Sequence, residues 1–370
     1  METLYGILSD FHKSSPLAVE QAMQTLKSLG AQRLILNGDI TGEQNPHRIP
    51  PQYFLQYILK AAADTNLETY VQFGSHEEFL PSEQVLTHHR SLYGNIIDVS
   101  HHRRIELPDH HLVFLPGSDV NAGGEYTFGT DLPSGTFLKT KEGLMKIENT
   151  QQYPLCAQLL QEQKAEQIFH YENIADLKKH VTVPEKTILL CHVPPLSRSP
   201  NGVDYAHFIE MHTFNFEHVK FQYDLDKYRQ FHPSPTVAPY SAKMIEHLTT
   251  KNIPFIPLAN NSRDTIERIA KEQSQQTKKT TVQVAVEKQD NRGNDELADL
   301  IKELDITKVI NGHFHESVHH AHNHRFQPVT QSTFTDSLLW NASYMDDGKV
   351  GILRVNGTQV AYQNIVLNTT

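Results

Sequence analysis

The sequence is short of several features that would assign it quickly. Only two cysteines occur in 370 residues, Cys156 and Cys191. They are too few for a disulfide framework, and their scarcity leads us to expect a reducing compartment. No apolar run approaches the ~18 residues needed to cross a bilayer. The start of the chain, Met1 to Ser9, lacks the cationic segment, long apolar stretch and cleavage site of a secretory leader. A cytoplasmic location with no membrane partner is the expectation. Basic charge is lacking too. A formal net charge of −10 argues against a broad cationic surface that holds nucleic acid by counterion release, although it leaves room for a local basic groove.

What the chain has in excess is histidine, with 23 residues. Histidine is the commonest transition-metal ligand, so the positions of these residues matter more than their number. The length, 370 residues, exceeds the size at which one hydrophobic core usually stops growing. With no internal repeat and no dividing linker, a single domain over 1–370 carrying a large insertion is expected.

The first half alternates strand and helix: predicted strands at Leu4–Ser9, Arg33–Asn37 and Thr69–Phe73, predicted helices at Leu17–Leu29, Tyr53–Ala63 and Ser82–Leu92. That alternation predicts an α/β sheet with parallel neighbours, and functional residues in such sheets collect just past the carboxyl ends of strands. Further strands are predicted at Leu112–Leu115, Thr187–Cys191 and Lys308–Asn311. Leu338–Tyr344, Val350–Val355 and Gln359–Val366, separated by turn residues, read as an antiparallel meander. The alternation fails over about 197–293, which holds His207, His212, His218, His232 and a polar segment, Lys271–Thr281. We read this stretch as an insertion over the active-site face.

Five short segments follow predicted strands and carry metal-binding residue types. Asp10 and His12 stand at i and i+2, so an extended chain points them to the same side. Asp39 lies in Asn-Gly-Asp-Ile-Thr-Gly, where Gly38 and Gly42 allow a tight turn. Gly74, Ser75, His76 and Glu77 follow the third strand, His192 follows Ile188–Cys191, and Gly312-His313-Phe314-His315 again offers two ligands at i and i+2. Imidazole and carboxylate donors suit Mn, Fe, Co, Ni or Zn. Two such ions bridged by a carboxylate can activate a water and clamp the attacking and leaving oxygens of an in-line displacement at phosphorus.

The order Asp-x-His, Gly-Asp-x-x-Gly, Gly-Asn-His-Asp/Glu (here Gly-Ser-His-Glu), a lone His after a strand, and Gly-His-x-His resembles the signature of the calcineurin-like metallophosphoesterase superfamily. A single fragment is weak; five in order after the right elements are specific. The resemblance spans the scaffold from Leu4 to about Val366 but not the insertion, nor the stretch from Asp119 to about Leu177. It implies a β-sandwich flanked by helices and a dinuclear phosphoesterase, manganese being the favoured metal. Asp10, His12 and His315 would hold one ion, Asp39 would bridge, and His192 and His313 would hold the second. His76 would face the substrate phosphate as a catalytic group. Ser75 stands where the family has asparagine, a ligand of the second ion. A serine hydroxyl is shorter and a weaker neutral donor, which predicts loose occupancy there.

Other residues carry less. Arg292, on the Asn291–Asn294 turn, would suit a phosphate through its planar fork, but a solvated arginine beside a helix N-cap is an equal alternative. Gly117-Ser118-Asp119 would line the mouth. Glu77 reads as a supporting or surface carboxylate. His101, His102, His110, His111, His319, His320, His322 and His324 read as exposed, and His88 and His89 as residues of a helix end. The expected function is hydrolysis of phosphate mono- or diesters in a small phosphorylated molecule or nucleotide. A nuclease is the enzymatic alternative, less favoured because of the acidic balance, and a degenerate fold serving as a binding scaffold is the non-enzymatic one.

Overall fold

A computed structural model of the chain describes residues 2–42, 46–119, 124–215, 236–239, 242–277 and 281–367. His218, His232 and the end of the polar segment at 278–280 lie outside the described residues. The chain divides into two compact units, Met1–Asp204 with Arg292–Thr370, and Tyr205–Asn291. Among the described residues, no helix is long and apolar enough to cross a membrane.

The larger unit is built on two six-stranded sheets. In the first, Thr3–Leu8, Arg33–Asn37, Glu68–Gln72 and Ile96–Asp98 run parallel, and Lys349–Asn356 and Gln359–Val366 close one edge antiparallel. In the second, His111–Leu115, Thr187–Cys191, Lys308–Asn311 and Leu338–Asn341 run parallel, with Arg104–Glu106 and Ala321–His322 as antiparallel edges. Alternate residues of these strands point to opposite faces, and the packing follows from that. Tyr5, Ile7, Ile35, Leu112, Phe114, Ile188, Leu190, Ile310 and Trp340 form one continuous core joining the two sheets. Leu8, Leu34, Leu36 and Val71 take the other face of the first sheet and pack against Val19, Met23, Phe54, Ile58 and Leu86 of three helices, Pro16–Ser28, Pro51–Asp64 and Phe79–Leu92. Val113, Leu115, Leu189 and Val309 do the same for the second sheet against Leu297, Leu300 and Ile301 of the Asp295–Glu303 helix. Strands buried on both faces read as unbroken apolar runs, which is how Leu-Ile-Leu and Thr-Ile-Leu-Leu-Cys stood out in the sequence. The chain is mixed α/β, as expected, with helices packed against both six-stranded sheets.

The expected C-terminal meander holds only for its last two strands, Lys349–Asn356 and Gln359–Val366, which pair antiparallel. Leu338–Asn341 pairs parallel with Lys308–Asn311 in the second sheet, whereas the two strands that follow belong to the first. The chain crosses between sheets through a 3₁₀ turn at Met345–Asp347 and Gly348, whose φ is 70°. Short turns join strands within a sheet and between sheets alike, so spacing alone did not separate the two. The crossing is sealed by Trp340, fully buried: a Cβ on Gly351 would lie 2.4 Å from its ring. Gly351→Ala is therefore expected to destabilise the protein by about 1–3 kcal/mol, the usual cost of overpacking. Urea unfolding checks this, and an unchanged midpoint would contradict it.

Other parts of the chain went beyond or against the sequence reading. The stretch after Asp119, which the resemblance does not cover, forms a five-stranded sheet, in the order Gly143–Ile147, Gly135–Thr140, Ala165–Asn173, Tyr126–Gly129, Ser118–Asp119. Its interior is partly polar: Glu172 is buried between Arg103 and His170, and paired buried charges look like surface residues in a sequence. Several histidines read as exposed are also buried. His110 meets the Tyr5 hydroxyl at 2.6 Å, His111 lies in a core strand, and His322 is buried with Nδ1 2.8 Å from the Asn323 carbonyl. His319 and His320 are half-buried and meet the Val350 and Gly202 carbonyls at 3.2 and 3.3 Å.

The smaller unit, far from irregular, is a four-stranded sheet in which Tyr205–Asn215 and Thr281–Asn291 pair along their whole length. Ile266 and Ala270 of the Arg263–Thr277 helix pack on Phe214, Val282, Val284 and Val286; Leu248 of the Ala242–Thr250 helix packs with Ile209 and Ala285. Long strands with half-exposed polar positions gave the weak pattern in the sequence. His207 pairs with Glu287 at 2.7 Å and His212 with Glu210 at 3.2 Å. Among the described residues neither joins a three-ligand group.

Candidate metal centre

The parallel strands of both sheets end at the five segments singled out above, and backbone hydrogen bonds tie those ends together. The Asp10 N–H donates to the Gly38 carbonyl at 3.2 Å, Phe11 to Asp39 at 3.1 Å, and Gly312 to His192 at 3.1 Å. Three candidate ligands have left-handed backbones, Asp10 at φ 55°, Asp39 at 51° and His313 at 72°. Aspartate tolerates that region better than most residues, histidine less so, and such conformations cluster at functional sites. Glycines provide the space for the ligand side chains. A Cβ on Gly74 would lie 2.5 Å from Asp39 Oδ1, and one on Gly312 would lie 2.6 Å from Asp10 Oδ2.

Asp39 is the centre of the arrangement and is 2% exposed. Its Oδ1 accepts from the Ser75 and His76 N–H groups at 2.6 and 3.0 Å, and the Ser75 hydroxyl lies 3.0 Å from each carboxylate oxygen. Oδ2 faces His192 Nε2 at 3.0 Å and His76 Nε2 at 3.8 Å. Two groups of candidate ligand atoms, each within 4.8 Å of one another, share this residue: Asp39 with His192 and His313, and Asp39 with His12 and His76. A carboxylate flanked by two pairs of imidazoles has the form of a bridging ligand.

Asp10 and His315 are placed differently from the rest. Asp10 is fully buried, accepts from the His313 N–H at 3.0 Å through Oδ2, and meets His315 Nε2 at 3.3 Å through Oδ1. His315 stacks on Tyr344 at a centroid distance of 3.8 Å, and its ring lies 5.9 Å from that of His12. Among the described residues Asp10 and His315 enter neither three-ligand group. His76, set apart in the sequence reading as a catalytic group, does enter one. It stacks on His12 at 4.5 Å and, with a side chain 49% exposed, is the most open of the five candidate imidazoles. Ser75, expected at a ligand position, spends its hydroxyl on Asp39.

The electrostatics suit a cation. Burial pushes His12 and His313 down to about 4, so both imidazoles are neutral near pH 7, as ligands must be. Burial also opposes charge on His192, but the Asp39 and Asp10 carboxylates outweigh it and lift this residue to about 10. The His192 Nδ1–H donates to the Asn37 carbonyl at 2.8 Å, which leaves Nε2 as the donor atom aimed at Asp39. Nε2 makes no aligned hydrogen bond there, and two lone pairs 3.0 Å apart repel unless positive charge lies between them. A proton supplies that charge in one state; a divalent ion fits the same pair of donors. Backbone anchoring of one imidazole nitrogen so that the other binds metal is the usual supporting arrangement at such sites. Burial opposes ionisation of Asp10 and Asp39, yet the neighbouring histidines hold Asp10 at about 2 and Asp39 well below the ordinary carboxylate range. The donor set, imidazoles around buried carboxylates with His12 and His313 already neutral, fits a transition metal.

Arg292 is exposed, and its turn is stitched to the segment that follows His192: Leu196 donates to the Asn294 carbonyl at 2.8 Å, and Asn294 to Pro194 at 3.0 Å. Gly117 donates to the Phe73 carbonyl at 2.7 Å, which puts Gly117-Ser118-Asp119 beside the third strand's end. Two acidic residues left out of the sequence-based ligand set also approach the site, Glu77, read there as a supporting or surface carboxylate, and Asp346, not considered there. Glu77 is 1% exposed and bonds three backbone amides. Asp346, close to His12 Nε2 at 3.7 Å, is held by the Lys13 N–H and the Ser14 hydroxyl at 2.9 and 2.8 Å. Its signal in the sequence was faint, because the residue reaches the site from the crossing turn near the C-terminus.

No family model matches the chain, and no curated protein matches it. Among solved structures it is similar to TT1561 of Thermus thermophilus, at 10% identity and a TM-score of 0.45 over 98% of this chain and 99% of that one. It is also similar to a dimetal phosphatase from Danio rerio, at 11% identity and a TM-score of 0.32 over 55% of this chain and 72% of that one. At these values neither likeness bears on function.

Proposed function

We propose that the chain is a metal-dependent phosphoesterase that binds two divalent transition-metal ions, manganese favoured, and hydrolyses phosphate mono- or diesters. The observation that supports this reading best is Asp39, a buried carboxylate that belongs to both groups of candidate ligand atoms, with His192 and His313 in one and His12 in the other. The ions, when bound, supply the activated water and the Lewis acidity that neutralises charge developing on the phosphoryl oxygens. The chain's own residues do the rest. Asn37 holds His192 in the tautomer that presents Nε2, and Asp10 holds His315. His76, open to solvent, contacts the phosphoryl oxygens or protonates the leaving oxygen. Arg292 is proposed as a second phosphate contact. A small phosphorylated molecule or nucleotide is the proposed substrate, because the acidic balance of the chain disfavours long nucleic acid.

The test is turnover of a generic aryl phosphate and an aryl diester after chelation, with and without added Mn²⁺. Metal-restored hydrolysis of either is expected; a chain that binds metal poorly and turns over neither is a binding scaffold. A related expectation concerns Ser75, whose hydroxyl lies on Asp39. Ser75→Asn would place an amide oxygen about one bond further out, a better neutral donor to the cation, and is expected to lower the Mn²⁺ concentration giving half-maximal activity. Coincident titration curves for the two forms would contradict this.

A further inference from the structure

We infer that Glu77 is a positioning residue for the metal centre: its carboxylate occupies a backbone anion nest formed by the turn after Asp39 and so holds Asp39 in its left-handed conformation. This rests on the metal-centre reading above. Glu77 Oε1 accepts from two successive amides, Ile40 at 2.5 Å and Thr41 at 2.9 Å. They converge because Asp39, just before them, has φ 51°, and consecutive N–H groups around a left-handed residue form a concavity that binds anions. Glu77 Oε2 accepts from the Gly74 N–H at 2.6 Å. The side chain is therefore buried with its two oxygens accepting from three backbone N–H groups, the partners a buried polar group requires.

The arrangement is reciprocal. Glu77, from the third strand's loop, binds the backbone of the Asp39 turn. Asp39 in turn binds the Ser75 and His76 amides of the Glu77 loop at 2.6 and 3.0 Å. Two carboxylates thus clamp two loops, and with Oδ1 of Asp39 engaged on amides, Oδ2 is left facing His192. A glutamine at 77 would put an NH₂ against either the nest or the Gly74 N–H, losing acceptors while keeping size. An aspartate keeps the charge but is one methylene short.

The experiment compares Glu77→Gln and Glu77→Asp with Leu300→Ala, a buried change on the outer face of the second sheet that destabilises without touching the site. Mn²⁺ affinity is measured by calorimetry well below each melting temperature, and hydrogen exchange over residues 39–42 is followed in the metal-free proteins. Glu77→Gln is expected to weaken Mn²⁺ binding roughly 10–100-fold, the range for partners that orient ligands, and to speed exchange at Ile40 and Thr41. Leu300→Ala should bind as the wild type does. If Glu77→Gln does not fold, the same two readings on Glu77→Asp decide the matter. Wild-type affinity in the Glu77 variants overturns the positioning role and leaves the metal centre standing, and so does an equal loss in Leu300→Ala. A wild type that binds no Mn²⁺ overturns the metal-centre reading, and the positioning role with it.

Discussion

Asp39→Asn is expected to remove activity more completely than any single histidine substitution, by roughly 10³-fold or more, since metal ions supply several kcal/mol of transition-state stabilisation. The substitution keeps shape and the acceptor for the Ser75 and His76 amides, so the loops retain their hydrogen bonds. What it loses is negative charge at the one residue shared by both ligand groups. An amide cannot bridge two cations as a carboxylate does, and its NH₂ would face His192 Nε2. Metal content should fall with activity. Full turnover with wild-type metal content would show that Asp39 is not the bridge.

His76→Ala is expected to lower turnover by about 10²–10⁴-fold, the range for a positioned acid or base, while metal content stays nearly intact. The prediction rests on how differently the imidazoles are held. His192 is fully buried and anchored at 2.8 Å to the Asn37 carbonyl, whereas His76 is half-exposed and its ring meets His12 and Asp39. A ligand needs a fixed direction, and a group that meets incoming substrate needs an open face. His76 has the second. Yet its Nε2 lies 3.8 Å from Asp39 Oδ2, within the group that includes His12. Metal analysis of the variant alongside its kinetics separates the roles: metal loss that tracks the loss of turnover would make His76 a ligand.

The sheets and the site differed in how legible they were. Arg33–Asn37, Thr187–Cys191 and Lys308–Asn311 stood out with the bounds they have, because strands buried on both faces are apolar throughout. The ligand candidates were readable because they sit directly after those strands. The reading failed where partners come from far along the chain. Leu338–Asn341 joins the second sheet through Lys308–Asn311, a pairing no local pattern specifies. The Ala165–Asn173 strand buries His170 and Glu172, the latter on Arg103, so its core face looks polar. Glu77, read as a supporting or surface carboxylate, is the supporting one; the sequence could not choose between the two because its three partners are backbone amides, which have no sequence signature. Asp346 approaches His12 from the opposite end of the chain, and only the structure brings it there.

Whether Asp39 is a carboxylate shared by two metal ions can be read from the Mn²⁺ bound per chain at saturation. Calorimetry and elemental analysis would be run on wild type and Asp39→Asn after exhaustive chelation and reloading. A bridging Asp39 requires two ions per wild-type chain and loss of both, or of all tight binding, in the variant. One ion or none in the wild type, or two in Asp39→Asn, would contradict it.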